Sequence, residues 1–253
     1  MSPFWRLFRA ERVKLRKSWP MLTAVLAPLC QAAFLGVIFW FSGSRVQLFR
    51  PASRFWLELN YLAWNLLLMP IGAGLVCELS WEQEREARAW NLLLVQPVAR
   101  RSHYLAKLLG HLSLLLLAQV LLVLMLLLVG FVLRLGPDLR MGPPALLILL
   151  RFAAFSALAS VAVVAFQTWL SMRCPGLWAG LATALLGSWL TAHWVGASAL
   201  VQFLPWGMAG QVILVFDRLH TLPWIQALGS LGTAVALAAL GSADFVRHRE
   251  TRA

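Results

Sequence analysis

The sequence predicts an all-α polytopic membrane protein: six transmembrane helices, an N-terminal interfacial helix, and a cytoplasmic helical segment between the second and third spans. Composition, the spacing of charges and the distribution of basic residues predict it. Of 253 residues, 60% are hydrophobic and 13% charged, with a net charge of +12, and mean hydropathy is +0.75. Soluble domains average about 25% charged residues, so this chain has too little polar surface to coat a water-facing globule. Intrinsic disorder is excluded on the same ground, and a disulfide framework by the odd trio Cys30, Cys77 and Cys174. The chain reads as an interfacial helix over 1–17 followed by one spanning domain over 18–253.

Stretches free of Asp, Glu, Lys and Arg place the spans. They run 27 residues from Lys17 to Arg45, 19 from Glu58 to Glu78, 26 from Lys107 to Arg134, 21 from Arg151 to Arg173, 43 from Arg173 to Asp217 and 25 from Arg218 to Asp244. A hydrocarbon core of roughly 30 Å needs about 20 apolar residues in a helix. Spans are expected near 18–42, 59–79, 108–133, 145–170, 177–204 and 223–243. Pro205, Gly207 and Gly210 interrupt the longest stretch, so it is expected to hold one span and then a short re-entrant or surface helix on the far side.

Basic residues set the orientation. With six spans, the N-terminus, the 80–107 segment, the 171–177 loop and the C-terminus share a face carrying 15 Lys and Arg, against 7 on the other. The positive-inside bias places that richer face, with both termini, in the cytoplasm. This placement assigns the high charge to lipid rather than to nucleic acid. The first span is expected to be retained, because its uncharged stretch exceeds the roughly 7–15 residues of a signal h-region.

Ahead of that span, Phe4, Leu7, Phe8 and Leu15 alternate with six basic residues, the pattern of a helix lying on anionic headgroups. Segments 53–60 and 136–144 are expected to be external connectors. Trp40, Trp56, Trp178, Trp206 and Trp224 fall near span ends and suit an aromatic belt. The 80–107 segment is the polar exception. Glu84 and Arg88 stand at i,i+4, Glu82 and Glu86 add negative charge near the helix start, and Trp90, Leu93 and Leu94 come next on an apolar side. Pro97 ends the helix, and Arg100 marks the return to the membrane. Such an amphipathic helix parallel to the bilayer is a handle for a soluble partner.

Within the spans, Asn65, Gln167, Thr168, Thr191 and His193 are candidates to line a path or to join helices. Glu58 and Glu78 are expected at the water interface. Gly176, Gly180, Ala184 and Gly187 form a small-residue stripe suited to close packing, within the chain or at a subunit junction. No His-x-x-x-His or Cys-x-x-Cys spacing exists, so no metal site is expected. There is also no phosphate-binding G-x-x-x-x-G-K-[ST] loop, so the chain is not expected to hydrolyse ATP.

Glu84, Leu93-Leu94, Pro97, Arg100 and Lys107 together resemble the cytoplasmic signature of ATP-binding-cassette type-2 exporter permeases. Arg88-Ala89 and Ala99 stand where that signature usually has Gly-Thr and Ser. Glu11 and Lys14, within Ala10–Leu15, are similar to the N-terminal E-x-x-K of the lantibiotic-immunity branch. The resemblance implies a permease subunit in the bacterial inner membrane, paired with a second permease copy or paralogue and seated on two ATPase subunits that hold ATP and Mg. It implies that 82–95 is the coupling helix and 2–17 the elbow helix, and that the cargo is an exported amphipathic peptide, antibiotic or lipid-like compound. The alternatives are a non-transporting sensor or immunity subunit and an intramembrane peptidase, whose adjacent glutamates and partner histidines this sequence lacks.

Overall fold

A computed structural model describes residues 3–42, 52–87, 99–135, 146–174, 176–194, 201, 203–216 and 222–250, and among these every regular element is helical. Helix α1 (Pro3–Leu15) ends in a tight turn at Lys17, whose φ is 58°. Ser18 caps the next helix: its hydroxyl accepts the Met21 N–H at 3.4 Å and donates to the Leu15 carbonyl at 2.6 Å. That helix, α2 (Trp19–Ser42), runs through the first apolar stretch.

The second span is longer than its uncharged stretch. Helix α3 (Ala52–Ala63), a π-helical turn (Trp64–Leu68) and α4 (Met69–Glu86) succeed one another without a break. Pro70 explains the turn. It offers no N–H to the preceding turn and its ring crowds a carbonyl there, and a wider i→i+5 turn absorbs both defects; the Met69 N–H accordingly bonds the Trp64 carbonyl. Two expectations are corrected here. The 53–60 segment is helix rather than connector, because Phe55, Trp56, Leu57 and Tyr61 provide an apolar face that packs inward. Glu82 to Glu86 continue the spanning helix instead of opening a separate one. Arg88, Trp90, Leu93, Leu94 and Pro97 lie outside the described residues, as does the whole of 136–144.

Helix α5 (Arg100–Arg134) has 35 residues, roughly 52 Å at 1.5 Å per residue, enough to cross and project beyond. Helix α6 (Leu146–Arg173) crosses back, and α7 (Leu177–Trp194), α8 (Pro205–Leu214) and α9 (Trp224–Glu250) complete the bundle. Five helices among the described residues are long and apolar enough to cross a membrane: Trp19–Phe41, Arg54–Glu86, Arg100–Arg134, Leu146–Arg173 and Trp224–Arg247. Helix α7, where the fifth of six spans is expected, is shorter: 18 residues, roughly 27 Å. Glycine, serine, threonine and a histidine also dilute its apolar character.

Ion pairs and ring contacts fix which ends meet. Arg173, at the end of α6, pairs with Asp244 near the end of α9, while Trp224 at the start of α9 meets Phe155 in the first half of α6. Gly176 lies at the Arg173 end, where its N–H bonds Glu78. Between Gly176 and Trp224 the chain therefore passes from one end of the bundle to the other. Helix α8 runs beside α7 in the same direction, Trp206 against Gly187 and Gly210 against Thr191. With Met208, Ala209, Val212 and Ile213 buried, α8 is an inserted helix and not a surface one.

The small-residue stripe of α7 is used inside the chain. A methyl on Gly74 would meet the Gly180 carbonyl at 3.0 Å and the Ala184 Cβ at 3.6 Å, and one on Gly187 would overlap the Trp206 indole. Those glycines set how closely α7 approaches α4 and α8. Trp56 and Trp206 are likewise core residues, 2% and 9% exposed, whereas Trp40, Trp178 and Trp224 face outward. Leu116, Val120, Leu124, Leu128 and Phe131 line the outer face of α5 at steps of three and four, a row that a membrane solvates.

Candidate functional site

The charged residues at the end of the bundle that carries α1 form a connected polar layer where the chain leaves α4 and begins α5. Glu84 is its centre. Its carboxylate is buried, 6% exposed, and accepts Lys14 Nζ from α1 at 3.0 Å and Lys107 Nζ from α5 at 3.0 Å. Lys14 also bonds Glu11 at 2.8 Å. Lys107 donates to the Ser80 carbonyl at 3.2 Å and sits 4.6 Å over the Trp81 ring. Three helices thus share one carboxylate. Burial disfavours the Lys14 cation most strongly, but Glu84 and Glu11 together outweigh it and raise its pKa above the ordinary 10.5. The ammonium's contribution to docking α1 is therefore complete below that value and is lost only as pH climbs through the higher folded-state pKa.

Helix periodicity brings these groups together. Glu11 and Lys14 lie one turn apart, and Leu15, 4% exposed, anchors α1 beside Gly110 of α5, where a methyl would meet Leu15 at 3.2 Å. Lys107 is one turn before His111 on the inward face of α5, and both are buried.

Two further clusters complete the layer. Glu78, expected at the water interface, is fully buried; it pairs with Arg85 two turns later on the same helix and accepts the Gly176 N–H at 3.0 Å. Arg85 also reaches the Ser171 carbonyl at 3.3 Å, so α4 is tied to the α6–α7 junction. Asp244 accepts both Arg173 and the Trp169 indole, the latter at 3.1 Å, tying α9 to α6. Trp81, Tyr104 and Phe245 pack beneath these charges. Glu82 is half-buried and Glu86 exposed at the end of α4, and Arg100 opens α5 half-buried.

Deeper in the bundle the polar candidates are bonded between helices. His111 Nδ1 lies 2.9 Å from Thr168 Oγ1, and Cys77 Sγ is 3.5 Å and 3.4 Å from those two atoms. Thr168 donates its single proton to the Val164 carbonyl at 2.7 Å, so His111 is the donor toward it. Trp81 Nε1 reaches the Thr168 carbonyl at 3.1 Å. Asn65, turned inward by the π-helical turn, accepts the Ser156 hydroxyl, which Gln119 also reaches at 2.8 Å. Gln167 points to Thr183 Oγ1 at 3.4 Å. Thr191 donates to the Gly187 carbonyl of its own helix, and His193 stands exposed beside Trp189 at the end of α7. Thr168 and Asn65 thus belong to inter-helix clusters; His193 joins neither.

Sequence reasoning singled out Glu84 but not its partners' depth, nor Arg85, Cys77, His111, Ser156 and Asp244. The seven-residue spacing of Glu78 and Arg85 was the one local signal available. The others meet across sequence separations of 34 to 91 residues. No group of His, Cys, Asp and Glu suited to a metal occurs among the described residues.

The family described as ABC-2 family transporter protein matches residues 7–191, from α1 to near the end of α7. No curated protein matches the chain significantly.

Proposed function

Because the chain belongs to the ABC-2 transporter family, we propose that it is the permease subunit of an exporter, working with a second permease copy or paralogue and driven by two separate ATPase subunits that hold ATP and Mg. It crosses the bacterial inner membrane six times with both termini in the cytoplasm, α7 and α8 together making the fifth crossing. The cargo is an amphipathic peptide, antibiotic or lipid-like compound, which suits apolar spans that carry few charges.

One observation supports the coupling role above the others: the shared Glu84 carboxylate. Residues 82–95 form the proposed contact with the ATPase, with Glu82, Glu86, Arg88, Trp90, Leu93 and Leu94 facing it, and Pro97 and Arg100 ending the segment. Glu84 stands at the base of that segment and bonds the elbow helix through Lys14 and the third span through Lys107. A push on the segment is therefore delivered to three helices at once, because a buried ion pair resists separation more stiffly than an apolar contact slides. Asn65, Gln167, Thr168 and Thr191, with His193 at its mouth, would line or border the path that opens between helices.

The test is association. Pull-down of the full chain from its host membrane brings down an ATPase subunit, and Leu93→Asp with Leu94→Asp weakens that association about thirtyfold or more, the scale of losing an interface hot spot of at least about 2 kcal/mol. Retained association by a variant that inserts normally would remove the coupling role from this segment.

A further inference from the structure

Alongside α1 runs a cleft of about 660 Å³, between that helix, the start of α2 and the outer face of α5. Its lining is mostly apolar, Val13 and Leu15 of α1 included, and it carries a basic edge. On α1, Arg9, Arg12 and Arg16 recur at steps of three and four, so they project along one stripe. On α5, Ser113, Leu116, Leu117 and Val120 recur at the same steps, with Leu114 and Met21 closing the floor. The three arginines are exposed, as are Leu116 and Val120 at 57% each. None of the three arginines has an ion-pair partner among the described residues, whereas Lys14 on the same helix is committed to Glu11 and Glu84.

Exposed arginines bordering a cleft otherwise lined by leucine and valine cannot be satisfied by that lining. The arginines need oxyanions, and the α5 wall needs hydrocarbon. Water suits only the first, and an acyl chain only the second. A molecule with a phosphate at one end and an alkyl chain at the other suits both, and guanidinium groups match phosphate oxygens in a bidentate fork. The volume lies in the range of about 300–1,000 Å³ that encloses one ligand.

We propose that this cleft is a binding site for one anionic phospholipid, its phosphate held by Arg9, Arg12 and Arg16 and an acyl chain laid along Leu116, Leu117 and Val120. The site lies on the outer face of the bundle and is independent of which cargo or partner the chain serves. The lipid fills the space between α1 and α5 and so holds α1 against the bundle beside Lys14 and Glu84. Basic pockets between helices at a membrane surface bind anionic headgroups in this way.

The experiment measures thermal stabilisation and lipid retention of the purified full chain in mild detergent, with phosphatidylglycerol, phosphatidylcholine or chain-free glycerol phosphate added. Phosphatidylglycerol is expected to bind roughly a hundredfold more tightly than phosphatidylcholine, about fivefold for each arginine, and glycerol phosphate not to stabilise. Arg9→Gln, Arg12→Gln and Arg16→Gln together should abolish the preference. Leu116→Trp with Val120→Trp fills the apolar wall on the lipid-facing side and should weaken phosphatidylglycerol binding at least tenfold with every arginine in place. Arg6→Gln, which removes an elbow cation outside the cleft, should leave binding within twofold. Equal stabilisation by the two lipids, or full stabilisation by glycerol phosphate, would overturn the assignment. So would a loss in Arg6→Gln matching that in Arg12→Gln, which would mean diffuse attraction of a basic helix to a charged surface.

Discussion

Replacing Glu84 by glutamine keeps the shape of the side chain and removes its charge, which isolates the electrostatic worth of the polar layer. The Glu84 side chain is 8% exposed and that of Lys107 is 4%. Removing one member of so buried a pair ordinarily costs about 3–5 kcal/mol, because the survivor is left charged without a counter-ion. Lys107 is not left bare, since it keeps the Ser80 carbonyl and the Trp81 ring, and a desolvated cation–π contact recovers up to about 2 kcal/mol. The expected loss for Glu84→Gln is therefore about 1–3 kcal/mol. Lys14 is different: its side chain is 43% exposed, so its share is that of a surface pair, and Lys14→Gln should cost about 1 kcal/mol or less.

Lys107→Met should cost as much as Glu84→Gln. The double variant should cost markedly less than the two together, with a coupling energy of about 2 kcal/mol, as buried partners show in double-mutant cycles. Reversible unfolding in mixed micelles, monitored by tryptophan fluorescence, gives all four corners. A loss below about 1 kcal/mol for Glu84→Gln, additive costs for the pair, or a Lys14→Gln cost equal to that of Lys107→Met would refute the account of Glu84 as the shared buried counter-ion of two helices.

Gly187→Ala should destabilise the bundle by about 1–3 kcal/mol, because the added methyl overlaps the Trp206 indole, and Trp206→Ala in the same chain should recover part of that loss; unfolding midpoints of the two variants decide it. For orientation, a cysteine at position 53 should react with an impermeant maleimide on intact cells and one at position 102 only after permeabilisation; the reverse pattern would invert the proposed topology.

The apolar spans were legible because their cause is local. A helix facing lipid on one side and other helices on the rest must be apolar nearly all round, so charge-free stretches alone found α2, α5, α6 and α9. The same uniformity hides everything lateral. Leu116 on the outer face and Leu122 in the core are the same residue in the same helix, one 57% exposed and the other fully buried, and no periodic contrast separates them. Trp56, Trp206 and Glu78 were misplaced to the interface for that reason: nearness to a span end in sequence does not show whether a neighbouring helix covers the side chain.

The membrane class, the apolar helices, the basic α1 and the acidic stretch at Glu82–Glu86 follow from contiguous residues meeting water or lipid. That Glu84 is shared by Lys14 and Lys107, that Cys77, His111 and Thr168 converge, and that the α7 glycines receive α4 and α8 emerges from the packing of the helices. Each of those depends on residues distant in the chain, and a polar group buried among apolar helices is stable only where a partner from another helix arrives within hydrogen-bonding reach.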